Sequence, residues 1–106
     1  MKIGVVGSIN IDLVIKTFRI PKRGETLIGE SISKFSGGKG ANQAVAISRL
    51  GESVTIFGCV GKDQYGKYLL ENLKNENVNV SHVKEIEEVE SGMAIIMVSE
   101  NDNSII

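Results

Sequence analysis

The chain has 106 residues, 42% hydrophobic and 24% charged, with a mean hydropathy of +0.04, about one small globular domain's worth of protein. Twelve basic side chains against 13 acidic ones give a net charge of −1 and a pI near 5.8, without the clustered basic charge that nucleic acid or an anionic membrane surface requires. A single cysteine excludes an internal disulfide and a multi-cysteine zinc site; no stretch reaches the roughly 18 apolar residues of a membrane helix, and Met1-Lys2-Ile3-Gly4 opens without a signal peptide, so a cytoplasmic location is expected.

Twelve glycines and 25 isoleucines and valines suit strands joined by tight turns. Residues 3–6 form a continuous apolar run ending at Gly7-Ser8, which predicts a strand buried on both faces of a parallel sheet. Residues 9–15 alternate, so Asn10 and Asp12 share one face of a strand while Ile9, Ile11 and Leu13 share the other. Pro21-Lys22-Arg23-Gly24 reads as a turn, and residues 26–35 as a further strand of mixed polarity. Gly37-Gly38-Lys39-Gly40 is a loop leading into a helix over 41–50. There Ala41, Ala44, Val45 and Ser48 form a small-residue stripe, and Ala46, Ile47 and Leu50 make the other side apolar, so burial on most faces is expected, with Gly51 as C-cap.

Residues 54–60 predict a second buried strand, in which Cys59 reads as a small buried hydrophobe. Asp63 has the position of an N-cap for a helix running to about Glu76, with Tyr65, Tyr68, Leu69 and Leu73 inward. Residues 78–83 are a shorter strand with His82, the one histidine, as a surface or packing residue. The four glutamates of 85–90 read as a solvated loop. Residues 93–98 are an apolar sheet run and 100–103 a polar turn. Ser104-Ile105-Ile106 looks like the start of a strand with nothing after it to pair, which suggests a fragment. The alternation of strand and helix is that of a doubly wound parallel sheet; there is no internal repeat or low-complexity segment.

Three chemistries compete for Gly37-Gly38-Lys39-Gly40-Ala41-Asn42-Gln43-Ala44. A Walker A phosphate loop needs Ser or Thr after the lysine, and Gly40 stands there. A dinucleotide fingerprint has to follow a buried strand, yet Ile32-Ser33-Lys34-Phe35-Ser36 is polar. A polyol site fits better: Lys39 and Asn42 supply hydrogen bonds, Gly38 admits a ligand to the backbone, and Asn10 and Asp12 lie about 6.6 Å apart along one strand face. An ionised carboxylate accepts from two vicinal hydroxyls at once. An Asx turn at the strand end is the alternative for Asn10 and Asp12.

Together, Gly7-Ser8-Ile9-Asn10-Ile11-Asp12, Gly37-Gly38-Lys39-Gly40-Ala41-Asn42-Gln43-Ala44, Leu50-Gly51 and Gly61-Lys62-Asp63-Gln64-Tyr65-Gly66 closely resemble the N-terminal third of the ribokinase-type (PfkB-type) carbohydrate kinases. The resemblance runs through all 106 residues, and the unbroken glycine-pair string is typical of the branch that gives the family its name. It implies an α/β fold, an incomplete Rossmann-like three-layer αβα sheet (segments of about 1–12 and 37–91) carrying strands of a β-sheet lid (13–36 and 92–106). It implies that Asn10, Asp12, Gly38, Lys39 and Asn42 hold sugar hydroxyls, D-ribose being the favoured sugar, with Ala94 and Ile106 as apolar contacts from the lid.

Full-length members transfer the ATP γ-phosphoryl group to a primary sugar hydroxyl with Mg²⁺ and often a monovalent cation such as K⁺, and lids commonly pair into dimers. The family's catalytic aspartate, in a Gly-Ala-Gly-Asp-type motif, and its ATP-binding residues have no counterpart here. The expectation is therefore a sugar-binding portion that is inactive alone and self-associates through 13–36, 92–106 or an open sheet edge. A non-catalytic sugar-binding or oligomerising module and a dinucleotide-binding domain are the alternatives.

Overall fold

A computed structural model describes residues 1–100 and 102–106. In chain order its elements are β1 (Lys2–Val6), β2 (Asn10–Lys16), β3 (Ser31–Gly37), α1 (Lys39–Arg49), β4 (Ser53–Gly61), α2 (Gln64–Asn75), β5 (Asn79–Ile86), β6 (Gly92–Ser99) and β7 (Asp102–Ile105). They divide between two units, residues 1–11 with 36–92 and residues 12–35 with 93–106.

In the first unit β1, β4 and β5 form a parallel sheet in that order, with Val5 opposite Ile56 and Thr55 opposite Asn79. Parallel neighbours require crossover connections, and these are right-handed. Both steps, β1 to β4 by way of α1 and β4 to β5 by way of α2, move the same way across the sheet, so both helices cover one face. The core lies there: Val5, Val54, Ile56 and Val60 from the strands, Ala41 and Ala44 from α1, Leu69 and Leu73 from α2. Ile56, Leu69 and Leu73 are fully buried, each worth about 1.5–3 kcal/mol over exposure.

The class is α/β and the sheet Rossmann-like, as expected, but this part of the chain supplies one helical layer. Burial of β1 on both faces is therefore corrected, since Val6 is 84% exposed. Cys59 is likewise exposed rather than buried, because period two turns it to the face that no helix covers. His82 stacks on Phe57 across that face, with ring centroids 5.0 Å apart.

Helix α1 begins earlier than the sequence suggested, at Lys39, and it is one-sided: Gly40, Ala41 and Ala44 are buried while Ala46 and Leu50 are exposed. With one sheet face to pack on, only the small-residue stripe is covered. Gly51, at φ +95°, ends the helix by donating to the Ser48 carbonyl while Glu52 N–H reaches that of Ile47, a Schellman closure. Asn77 (φ +61°) ends α2 the same way, with buried Val78 donating to the Leu73 carbonyl. Arg49 pairs with Glu76, and the Ser48 hydroxyl donates to the Glu76 carbonyl, tying the two helix ends together. No helix among the described residues is long and apolar enough to cross a membrane.

The second sheet has the order β3-β2-β6-β7. Strand β7 turns back antiparallel on β6, Ile96 opposite Ile105, and Ile95 and Ile106 exchange two 2.9 Å hydrogen bonds. The expectation that 104–106 lacks a partner is thus corrected. Of the polar turn expected over 100–103, residue 101 lies outside the described residues, and Asp102 and Asn103 already belong to β7. The strand expected over 26–35 begins only at Ser31. Before it, Glu25 binds the Arg19 guanidinium and the Lys22 N–H, and Gly24 (φ +77°) makes the turn, so this segment is held by side chains rather than by a ladder. The Arg19 guanidinium, then the Lys22 N–H, lowers the Glu25 carboxyl from its ordinary 4.5 to about 2. Of residues 85–90, Glu85 belongs to β5, and Glu87 pairs with Lys62 at 3.1 Å.

Candidate functional site

Strands of an open parallel sheet present their carboxyl ends to ligands, and here the loop after β1 meets the start of α1 at that edge. Gly7 and Gly40 cross backbone to backbone: a Cβ on Gly40 would stand 2.6 Å from the Gly7 carbonyl carbon, and one on Gly7 would stand 2.8 Å from the Gly40 Cα. Gly38, the N-cap of α1, has φ +99°, and a Cβ there would fall 2.5 Å from the Ser8 carbonyl oxygen and 3.0 Å from the Asn10 nitrogen. Only glycine meets both conditions.

Gly38 offers α1 no side-chain cap and the first turn holds no acidic residue. Ser8 fills that role from outside, its hydroxyl accepting the Lys39 N–H and its carbonyl the Ala41 N–H, each at 3.0 Å. Lys39 thus adds its ammonium to the positive end of the helix, a combination that attracts oxygen lone pairs. Lys39 and Asn42 are both exposed in this first turn.

The first unit therefore brings Asn10, Gly38, Lys39 and Asn42 to one edge. Asn10 and Asp12 are half-buried on β2 while Ile9 and Ile11 beside them are buried, the alternation expected of a strand, and both stand in strand rather than turn backbone. Asp12, Ala94 and Ile106 belong to the second unit. Ala94 is half-buried on β6 and Ile106 is 78% exposed. Because Ile106 pairs with Ile95, the pleat sets Ile106 and Ala94 on opposite faces of the hairpin. The dinucleotide alternative is corrected here, since the glycine loop enters α1 from β3 of the second sheet rather than from a strand of the parallel sheet.

Sequence reasoning gave Ser8 no role, although it stands inside the quoted motif. It also missed Ser91. Asp63 caps α2 as predicted, its Oδ1 accepting the Gly66 N–H at 2.7 Å, but its other oxygen accepts the Ser91 N–H at 2.9 Å. Nothing local to either residue signals a bond across 28 positions.

The family model for "pfkB family carbohydrate kinase" matches residues 1–106. The chain is 47% identical over 102 residues to a ribokinase of Bacillus subtilis, covering 96% of this chain and 35% of that protein. It is 47% identical over 106 residues to a ribokinase of Schizosaccharomyces pombe, covering 94% and 33%. The structure of Arabidopsis thaliana ribokinase complexed with ribose and ATP superposes with a TM-score of 0.90 at 34% identity, over 98% of this chain and 34% of that one. The chain thus spans about a third of the length of these relatives. With the family model matched along its whole length and ribokinases related in both sequence and fold, the chain belongs to the pfkB family of carbohydrate kinases.

Proposed function

We propose that this chain is the sugar-binding portion of an ATP-dependent kinase that transfers the γ-phosphoryl group to the primary hydroxyl of D-ribose, forming D-ribose 5-phosphate. The observation that carries the reading is the Gly7–Gly40 crossing, which sets Asn10 beside the Gly38 turn and the positive end of α1. There the Asn10 and Asn42 amides donate and accept, the Lys39 ammonium donates, and Gly38 leaves its backbone open to the ring. Asp12, on the Asn10 face of β2, accepts from two vicinal hydroxyls. Ala94 or Ile106, on opposite faces of their hairpin, adds an apolar contact. The ribokinase named with bound ribose and ATP supports this choice of sugar.

In this reading segments 13–36 and 92–106 act as the lid, and 1–12 with 37–91 as the core. ATP, the catalytic base, Mg²⁺ and K⁺ are held by the two thirds of the family's length that this chain does not span. Among the described residues no three His, Cys, Asp or Glu side chains converge where a metal ion could sit. The second unit leaves Phe18 and Ile28 of the 17–30 connection and Ile32 and Ile105 of the sheet exposed, which supports pairing with a second copy through the lid segments; a cytoplasmic location is part of the same reading. Asp12→Asn tests the site in the full-length product of the gene. Replacing a carboxylate oxygen by an amide N–H₂ should weaken D-ribose binding by about 1.5–3 kcal/mol in calorimetry. Unchanged affinity would make Asp12 a strand residue and nothing more.

A further inference from the structure

An N-cap needs one oxygen, and serine or asparagine supplies it as well as aspartate does. Asp63 uses both of its oxygens. Oδ1 takes the Gly66 N–H and the Ser91 hydroxyl, at 2.7 and 2.8 Å, and Oδ2 takes the Ser91 N–H at 2.9 Å. The Ser91 Oγ in turn accepts the Gly61 N–H at 3.0 Å, and Ser91 is only 5% exposed. The Ser91 and Gly66 N–H groups hold the Asp63 carboxyl below its ordinary value. A Cβ on Gly61 would stand 2.5 Å from the Ser91 nitrogen, so the segment before β6 lies directly on the end of β4. The next residue, Gly92, abuts the sugar site, where an added Cβ would come within 3.3 Å of the Asn10 Cβ.

We propose that Asp63 is a positioning residue for the sugar: by clamping Ser91 it fixes Gly92 against Asn10, and so holds the Asn10 amide where a sugar hydroxyl meets it. This rests on the sugar-site reading above. Asp63→Ser keeps the cap but has no second oxygen for the Ser91 N–H. Ser91→Ala removes the hydroxyl and leaves the carboxylate. Gly92→Ala leaves the whole clamp intact and presses only on Asn10.

In the full-length product of the gene, each of the three variants should weaken D-ribose binding about 10-fold, the scale of one lost hydrogen bond from the Asn10 amide, with the KM for ATP unchanged. A role confined to capping α2 would leave D-ribose affinity where it was in all three variants, because serine keeps the cap and the other two substitutions do not touch it. Unchanged D-ribose affinity in Asp63→Ser and Ser91→Ala overturns the proposal. If neither folds, unchanged affinity in Gly92→Ala does so alone. Asn10→Ala separates the two readings. If it leaves D-ribose affinity intact, the sugar site itself is wrong and the positioning role falls with it; if it abolishes binding while the three variants bind normally, only the positioning role is wrong.

Discussion

Gly40→Ala should destabilise this protein, although glycine to alanine inside a helix ordinarily stabilises by about 0.5–1 kcal/mol. The added methyl would stand 2.6 Å from the Gly7 carbonyl carbon, 2.7 Å from its Cα and 2.8 Å from the Ser8 nitrogen. Reaching the ordinary contact of 3.4 Å requires the chains to part by about 0.8 Å. All three neighbours are backbone, so no side chain can swing aside.

Overpacking of this kind costs about 1–3 kcal/mol. The parting also stretches the two bonds from α1 to Ser8, worth about 0.5–1.5 kcal/mol each. Set against the helix preference for alanine, the net loss is about 2–3 kcal/mol. Urea unfolding followed by circular dichroism measures it, with Ala46→Gly on the exposed side of the same helix reporting the ordinary propensity. A Gly40→Ala midpoint equal to or above that of the parent, at unchanged slope, would refute the backbone crossing.

Glu25 is held to about 2 by Arg19, so what its ion pair contributes is complete above the ordinary carboxylate value of 4.5 and is lost as pH falls through about 2; a carboxyl NMR titration should give a midpoint near that value, and Arg19→Ala should return it toward 4.5. Asn77 sits at φ +61° behind α2, so Asn77→Ala should cost about 1 kcal/mol and Asn77→Gly nothing or less in thermal melts. Equal melting points for the two would remove the left-handed cap from the argument. Cys59 faces the uncovered side of the sheet, and in this 106-residue chain a thiol reagent should label it without denaturant; protection would mean that a second copy covers that face.

Several features were legible because they depend on near neighbours along the chain. Alternation alone put Asn10 and Asp12 on the face opposite Ile9 and Ile11, because successive strand residues point to opposite sides. Asp63 announced a helix start and Gly51 a helix end, each through local backbone requirements, and the small-residue stripe marked Ala41 and Ala44 for burial, though not that the other side of the helix stays open. Tertiary structure decided what depends on distant partners. An apolar run reads the same whether one face or two are covered, so the exposure of Val6 and Cys59 followed only from two same-handed crossovers placing α1 and α2 on one side. The pairing of Ile106 with Ile95 needed the return of β7. The Gly7–Gly40 crossing is a contact between backbones, and the clamp of Asp63 on Ser91 spans 28 positions. Neither leaves a periodicity in the sequence, because no side-chain pattern encodes which two loops the folded sheet brings to its edge.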